Sequence, residues 1–188
     1  EVVDTSEPSV VVEPTYCETL GLPEQSFSEE SSGSGYGSVS GDFTLNTTDG
    51  EWNLAENWNG CDSYLFFNHH PDYDYPDQVW GSDFGDLINA TPSNTHYFFG
   101  SFNQGQEETE VLALQERFDQ FLLRLDEDAQ EFWSERVHFL TESPWEAEGI
   151  STFLNGSGVW AFGIMPTQEY ADIGYLALPF GSDWTGSM

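Results

Sequence analysis

The sequence predicts an α/β domain: a mixed central sheet flanked by helices and preceded by an irregular N-terminal arm. Three observations carry that expectation. Two short, almost wholly apolar runs, "SYLFF" (63–67) and "HYFFGSF" (96–102), suit strands buried on both faces. Residues 107–135 form an amphipathic stretch in which Val111, Leu114, Phe118, Phe121, Leu122, Leu125, Ala129, Phe132 and Trp133 recur at three- and four-residue steps. Strand patterns alternating with helix patterns argue for α/β with a mixed sheet.

The elements follow in order. Residues 1–40 have little periodicity beyond a short edge strand at 10–12, and "SFSEESSGSGYGSVSG" (26–41) has the composition of a Gly/Ser linker. The folded domain is expected over 41–188. It opens with a hairpin in which Phe43 and Leu45 precede a tight Asp49-Gly50 turn, followed by Trp52 and Leu54. The strand 63–67 comes next, then an acidic loop and a short helix in "VWGSDFGDLINA", with Ser82 as its candidate N-cap. After the strand 96–102, the segment 107–135 reads either as one continuous rod or as two helices broken where "DEDA" could cap the second. "RVHFLTES", "GVWAFGIM" (158–165) and "IGYLALP" (173–179) complete the strand pattern.

Composition excludes several functions. The 188 residues carry 34 acidic side chains against three arginines and no lysine, a formal net charge of −31. Such a surface repels phosphate backbones, so a nucleic-acid partner is not expected. It suits a saline medium that screens the self-repulsion, or the binding of hard cations such as Ca²⁺. An aromatic fraction of 16% separates the chain from disordered acidic sequences. No apolar run approaches the roughly 18 residues that a membrane span requires. The two cysteines, Cys17 and Cys61, read either as one disulfide clamping the arm to the strand that follows or as two unrelated thiols. With a start at Glu1, the chain reads as a processed piece of a longer secreted or surface-anchored protein.

Two segments, "DFTLNTTDGEWNLAENWNGCDSYLFFN" and "WAFGIMPTQEYADIGYLA", carry a family resemblance. The first is similar to the opening of a thioredoxin-like domain of the peroxiredoxin or thiol-reductase branch: strand, Asp-Gly turn, strand, then the central strand that leads to the redox site. The second resembles the later segment in which a strand ends in a cis-proline and a hairpin strand follows. The resemblance implies that Pro166, followed by Thr167, is that proline. It also implies a reactive cysteine after the central strand, where a helix N-terminus lowers the thiol pKa. This chain has "HHPDYDYPD" there, and Cys61 precedes the strand. A thioredoxin-like scaffold without its reactive sulfur is the resulting expectation.

The histidine-rich stretch offers other chemistry. His69, His70, Asp72, Asp74 and Asp77 are competent metal ligands, for Ca²⁺ above all. Adjacent histidines point apart on an extended backbone, however, and neither an EF-hand spacing nor a helical His-x-x-x-His pair is present. The same loop could instead bind a glycan or protein through the faces of Tyr73, Tyr75 and Trp80, or be a solvated, proline-stiffened connection. His96 and His138 sit in strand-like segments among aromatics, where a hydrogen-bonded core histidine is the commoner role. No Gly-x-Ser-x-Gly elbow occurs, and carboxylate pairs suited to hydrolysis can be drawn from anywhere in so acidic a chain. The leading expectation is a non-catalytic interaction or accessory domain. It would dock on a protein partner, on the rest of its own polypeptide or on a second copy. The rival is a divalent-cation-dependent binding module using 69–80. A hydrolase using carboxylates or His69 and His70 ranks last.

Overall fold

A computed structural model describes residues 14–73, 79–147 and 149–173 of the chain. Its elements are α1 (Tyr16–Leu20), β1 (Thr44–Thr47), β2 (Gly50–Asn53), β3 (Ser63–His69), α2 (Phe84–Ala90), β4 (Thr95–Ser101), α3 (Glu107–Leu122), α4 (Glu127–Ser134), β5 (Val137–Phe139), α5 (Ile150–Leu154), β6 (Ala161–Ile164) and β7 (Tyr170–Asp172). The α/β class expected from the sequence is observed. Five strands form a mixed sheet in the order β5-β4-β3-β6-β7, and β1 and β2 form a separate antiparallel pair. β3, β4 and β5 run parallel, β6 is antiparallel to β3, and β7 is antiparallel to β6.

β3 is central because its side chains are apolar in both directions. Alternate residues of a strand face opposite sides of a sheet. Leu65 and Phe67 therefore join Tyr97, Phe99, Val137 and Phe139 beneath α2, α3 and α4. Tyr64 and Phe66 join Phe98 and Phe162 beneath the β1–β2 hairpin and α5. Phe66 stacks between Phe98 and Phe162, with ring centroids 4.7 and 4.5 Å away. Fully burying such a ring contributes about 1.5–3 kcal/mol.

The helices end where polar caps stop them. Asp83 caps α2, its carboxylate accepting from Gly85 N at 2.7 Å. The expected cap, Ser82, lies one residue outside, because a carboxylate at 83 is the stronger acceptor for the first turn. The 107–135 segment is two helices. Asp126 sits in an extended conformation and accepts from Ala129 N at 2.9 Å, which starts α4 and rules out a continuous rod.

The Gly/Ser-rich segment 26–41 is not a free linker. Ser40 N donates to Gln168 O, Gly37 N to Tyr170 O, and Tyr170 N to Ser38 O, so the segment lies along β7. The Gln168 side chain, 2% exposed, donates to the carbonyls of Ser28 and Ser40. Composition pointed elsewhere because backbone groups, rather than apolar side chains, hold this segment. Farther along, β7 forms at 170–172, and of the strand expected at 173–179 only Ile173 lies within the described residues. The strand expected at 10–12 lies outside them, as do Asp74, Tyr75 and Asp77.

Cys17, in α1, and Cys61, just before β3, stand at disulfide distance: the sulfurs are 2.19 Å apart and the Cα atoms 5.8 Å. The approach depends on Gly60, whose φ of 87° and missing Cβ admit the backbone of Gln25; Gln25 N donates to Gly60 O at 2.8 Å. Among the described residues no helix is long and apolar enough to cross a membrane.

Candidate functional site

The two ends of the parallel strands collect the polar chemistry. At the carboxyl end of β3 the strand's period of two sends His69 and His70 to opposite faces, as expected for neighbours on an extended backbone. His69 Nδ1 lies 2.7 Å from Glu110 Oε2 on α3, with the Trp80 ring 5.3 Å away. Glu110 also accepts from Ser101 Oγ at 2.6 Å and from the Asn103 amide. Burial alone would push the Glu110 carboxyl up; the hydrogen bonds from Ser101, Asn103 and His69 outweigh it and hold the group below its ordinary value. Arg117 donates to the carbonyls of Trp80 and Ser82, fastening that short stretch to α3. A cleft of about 340 Å³ opens between His69, Trp80, Glu110, Leu114 and Arg117.

His70 takes the other face. Its ring lies 4.4 Å from that of Tyr73 and packs edgewise on Phe102 and Trp145. Its Nδ1 accepts from Asp72 N at 3.2 Å. The ring also lies where a Cβ on Gly158 would sit, so only glycine fits there. His69, His70 and Asp72 therefore do not converge on a point. Among the described residues no three His, Cys, Asp or Glu side chains gather as a metal site. The remaining ligand candidates, Asp74 and Asp77, and the stacking candidate Tyr75 lie outside the described residues. Pro166 follows β6 in the turn to β7, where Met165 N donates to Glu169 O and Gln168 N to Met165 O.

The tryptophans do not form a common exposed patch among the described residues. Trp52 is core, Trp58 donates its indole N–H to Gln25 O at 2.8 Å, Trp80 packs edgewise on Phe99, and Trp145 alone is 39% exposed.

At the amino end, Asp62 precedes β3, His96 is the second residue of β4 and His138 lies within β5. His96 Nε2 lies 3.1 Å from Asp62 Oδ2, and His96 Nδ1 lies 3.2 Å from His138 Nε2. Asn59 closes the group: its side-chain amide donates to Asp62 Oδ2, and its oxygen accepts from Asp62 N at 2.9 Å. Tyr64 stacks on His96 with ring centroids 5.2 Å apart. Burial lowers the His96 pKa, against the raising effect of Asp62, and lowers that of His138 to about 3, helped by His96 and Arg136. Both histidines are the hydrogen-bonded core residues the sequence suggested, and they also border a cavity of about 510 Å³.

The carboxylates that organise the two ends, Glu110 and Asp62, were not singled out from the sequence. Glu110 is one of three acidic residues in the first turn of α3. Only the fold distinguishes it from Glu107 and Glu108.

No protein-family model matches the chain, and neither a curated protein nor a solved structure matches it.

Proposed function

We propose that the chain is a non-catalytic interaction or accessory domain of a secreted or surface multidomain protein, on a thioredoxin-like scaffold without a reactive sulfur. One observation carries the reading. Cys17 and Cys61, each 1% exposed, are paired at the amino end of β3, whereas the opposite end of that strand runs into His69 and His70. Thiol exchange and peroxide reduction need an accessible thiolate, and neither end supplies one. Further support comes from the element order of hairpin, strand, helix, strand and long helical segment, and from Pro166 between β6 and the hairpin strand β7. A cysteine pair at bonding distance suits an oxidising compartment. The charge of −31 favours work in salt and a protein partner, either the rest of the polypeptide or a second copy.

Dithiol-dependent insulin reduction and peroxide consumption test the reading. Neither activity is expected, and Cys17→Ser and Cys61→Ser variants should behave like the parent. Turnover that disappears in either variant would refute it.

A specific observation favours a second reading, recognition of a glycan or protein through the 69–80 loop. Tyr73, 48% exposed, and Trp145, 39% exposed, flank His70 and offer two ring faces at one end of the sheet. Calorimetry with Ca²⁺ separates the two. Site-like affinity lost in Asp72→Asn favours this reading, and weak binding spread over the acidic surface favours the first.

A further inference from the structure

We propose that the cavity at the amino end of the parallel strands binds a small uncharged carboxamide, which donates its N–H to His138 Nδ1 and accepts from the Trp52 indole on its carbonyl oxygen.

Two nitrogens, rather than the acidic rim, distinguish this cavity. Asp62 cannot receive a guest, because its side chain is fully buried and its free oxygen is sealed from solvent. It fixes the protons behind the cavity instead. A carboxylate only accepts, so His96 Nε2 carries the hydrogen of their 3.1 Å contact. Burial keeps His96 neutral, which leaves its Nδ1 bare, and the 3.2 Å contact with His138 takes its hydrogen from His138 Nε2. His138 is neutral as well, so its Nδ1 holds a lone pair.

That nitrogen makes no hydrogen bond among the described residues, and neither does the indole N–H of Trp52. Both residues line the cavity, each is 7% exposed, and their ring centroids lie 5.7 Å apart. The unpartnered polar atoms sealed from solvent belong to Ser40, Thr48, Asp62, Asn68 and Trp80; the nitrogens of Trp52 and His138 are not sealed in this way. A neighbouring donor and acceptor without partners are costly to desolvate unless water or a guest fills both.

A carboxamide offers the complementary pair, an N–H and a C=O on one carbon. The exposed Asp49, Glu51 and Glu135 on the cavity wall repel anions. Arg136, the one cation there, is engaged by the carbonyls of Ser93 and Phe132 at 3.2 and 3.3 Å. An ammonium gains from the rim but has no acceptor for the indole N–H. The volume, about 510 Å³, leaves room for a flat stem beside Trp52.

The test titrates the full chain with benzamide at fixed ionic strength, following the Trp52 indole N–H and the His138 ring signals by NMR. Saturable movement of both signals is expected. N,N-Dimethylbenzamide, which has no N–H for His138, should bind at least tenfold more weakly, as should benzoate and benzylammonium. His138→Phe should weaken benzamide at least tenfold. Glu51→Phe, at an exposed strand position on the rim, should do the same by blocking entry, even if His138→Phe fails to fold. Signals that benzamide leaves unmoved would mean that water alone fills the cavity and would overturn the proposal. So would equally tight saturation by dimethylbenzamide, benzoate or benzylammonium, or benzamide binding like the parent's in every variant that folds.

Discussion

At the carboxyl ends of β3 and β4, Glu110 receives hydrogen bonds on both oxygens, from Asn103 on one and from Ser101 and His69 on the other. At the amino ends of the same strands, Asp62 receives two on one oxygen and none on the other. Both carboxylates pair with a histidine, yet Glu110, with its side chain 24% exposed in a cleft, has donors on both oxygens, while the fully buried Asp62 has one oxygen without a donor. The difference teaches that acidity by itself does not make a site in a chain this acidic. What a carboxylate lacks is more informative than where it lies.

The largest expected effect concerns what holds the amino end together. The pairing of Cys17 with Cys61 spans 44 residues of sequence, and closing such a loop is worth about 2–4 kcal/mol. Reduction, or Cys17→Ser, should lower the urea midpoint accordingly; an unchanged midpoint would mean that the amino end is organised without the bridge.

A pH series should come next in size and act at both ends. His96 and His138 have folded pKa values below their ordinary range, so they stay neutral in the fold and take up protons on unfolding. Their stabilisation is full above the ordinary histidine value and is lost as pH falls through it, with His138 continuing toward about 3. The slope from each is at most about 1.4 kcal/mol per pH unit. Glu110, also lowered, contributes stability above the ordinary carboxylate value that disappears as pH falls through its own folded value. Urea midpoints against pH should therefore bend first at the amino end. His138→Gln should flatten the upper limb and leave the acid limb, and a change in the acid limb alone would reverse the assignment.

The smallest effect belongs to neither end and serves as a reference. Asp83→Ala should cost about 1 kcal/mol through loss of the α2 cap, while Ser82→Ala should stay within about 0.5 kcal/mol. Equal losses in thermal denaturation would move the cap to Ser82.

Much of the scaffold was legible because its signals are local. The run 64–67 is apolar on alternate residues in both directions, which suits a strand covered on two sides. The divergence of His69 and His70 follows from the same period. The helix break needed one more fact, the acceptance of Ala129 N by Asp126, to decide between two readings the sequence left open. The rest depends on chain segments far apart. Residues 26–41 look like a linker because their ties to Gln168 and Tyr170 are made by backbone and one amide, which leave no mark in side-chain periodicity. Ser82 and Asp83 are adjacent residues that both suit an N-cap, and only the fold shows that the carboxylate at 83 is the one that reaches Gly85 N. Glu110 and Asp62 resemble 32 other acidic residues until the fold shows which donors reach them.

The most direct test compares Glu110→Gln with Asp62→Asn by urea denaturation at neutral pH. Glu110→Gln turns an amide donor toward groups that are already donors and should cost about 2 kcal/mol. Asp62→Asn can keep its oxygen toward Asn59 and His96 and merely exchanges an oxygen that already lacks a donor for an N–H₂, so it should cost less than about 1 kcal/mol. Equal losses, or a greater loss at Asp62, would contradict the claim that the amino-end carboxylate keeps one buried oxygen without a donor while Glu110 is satisfied on both.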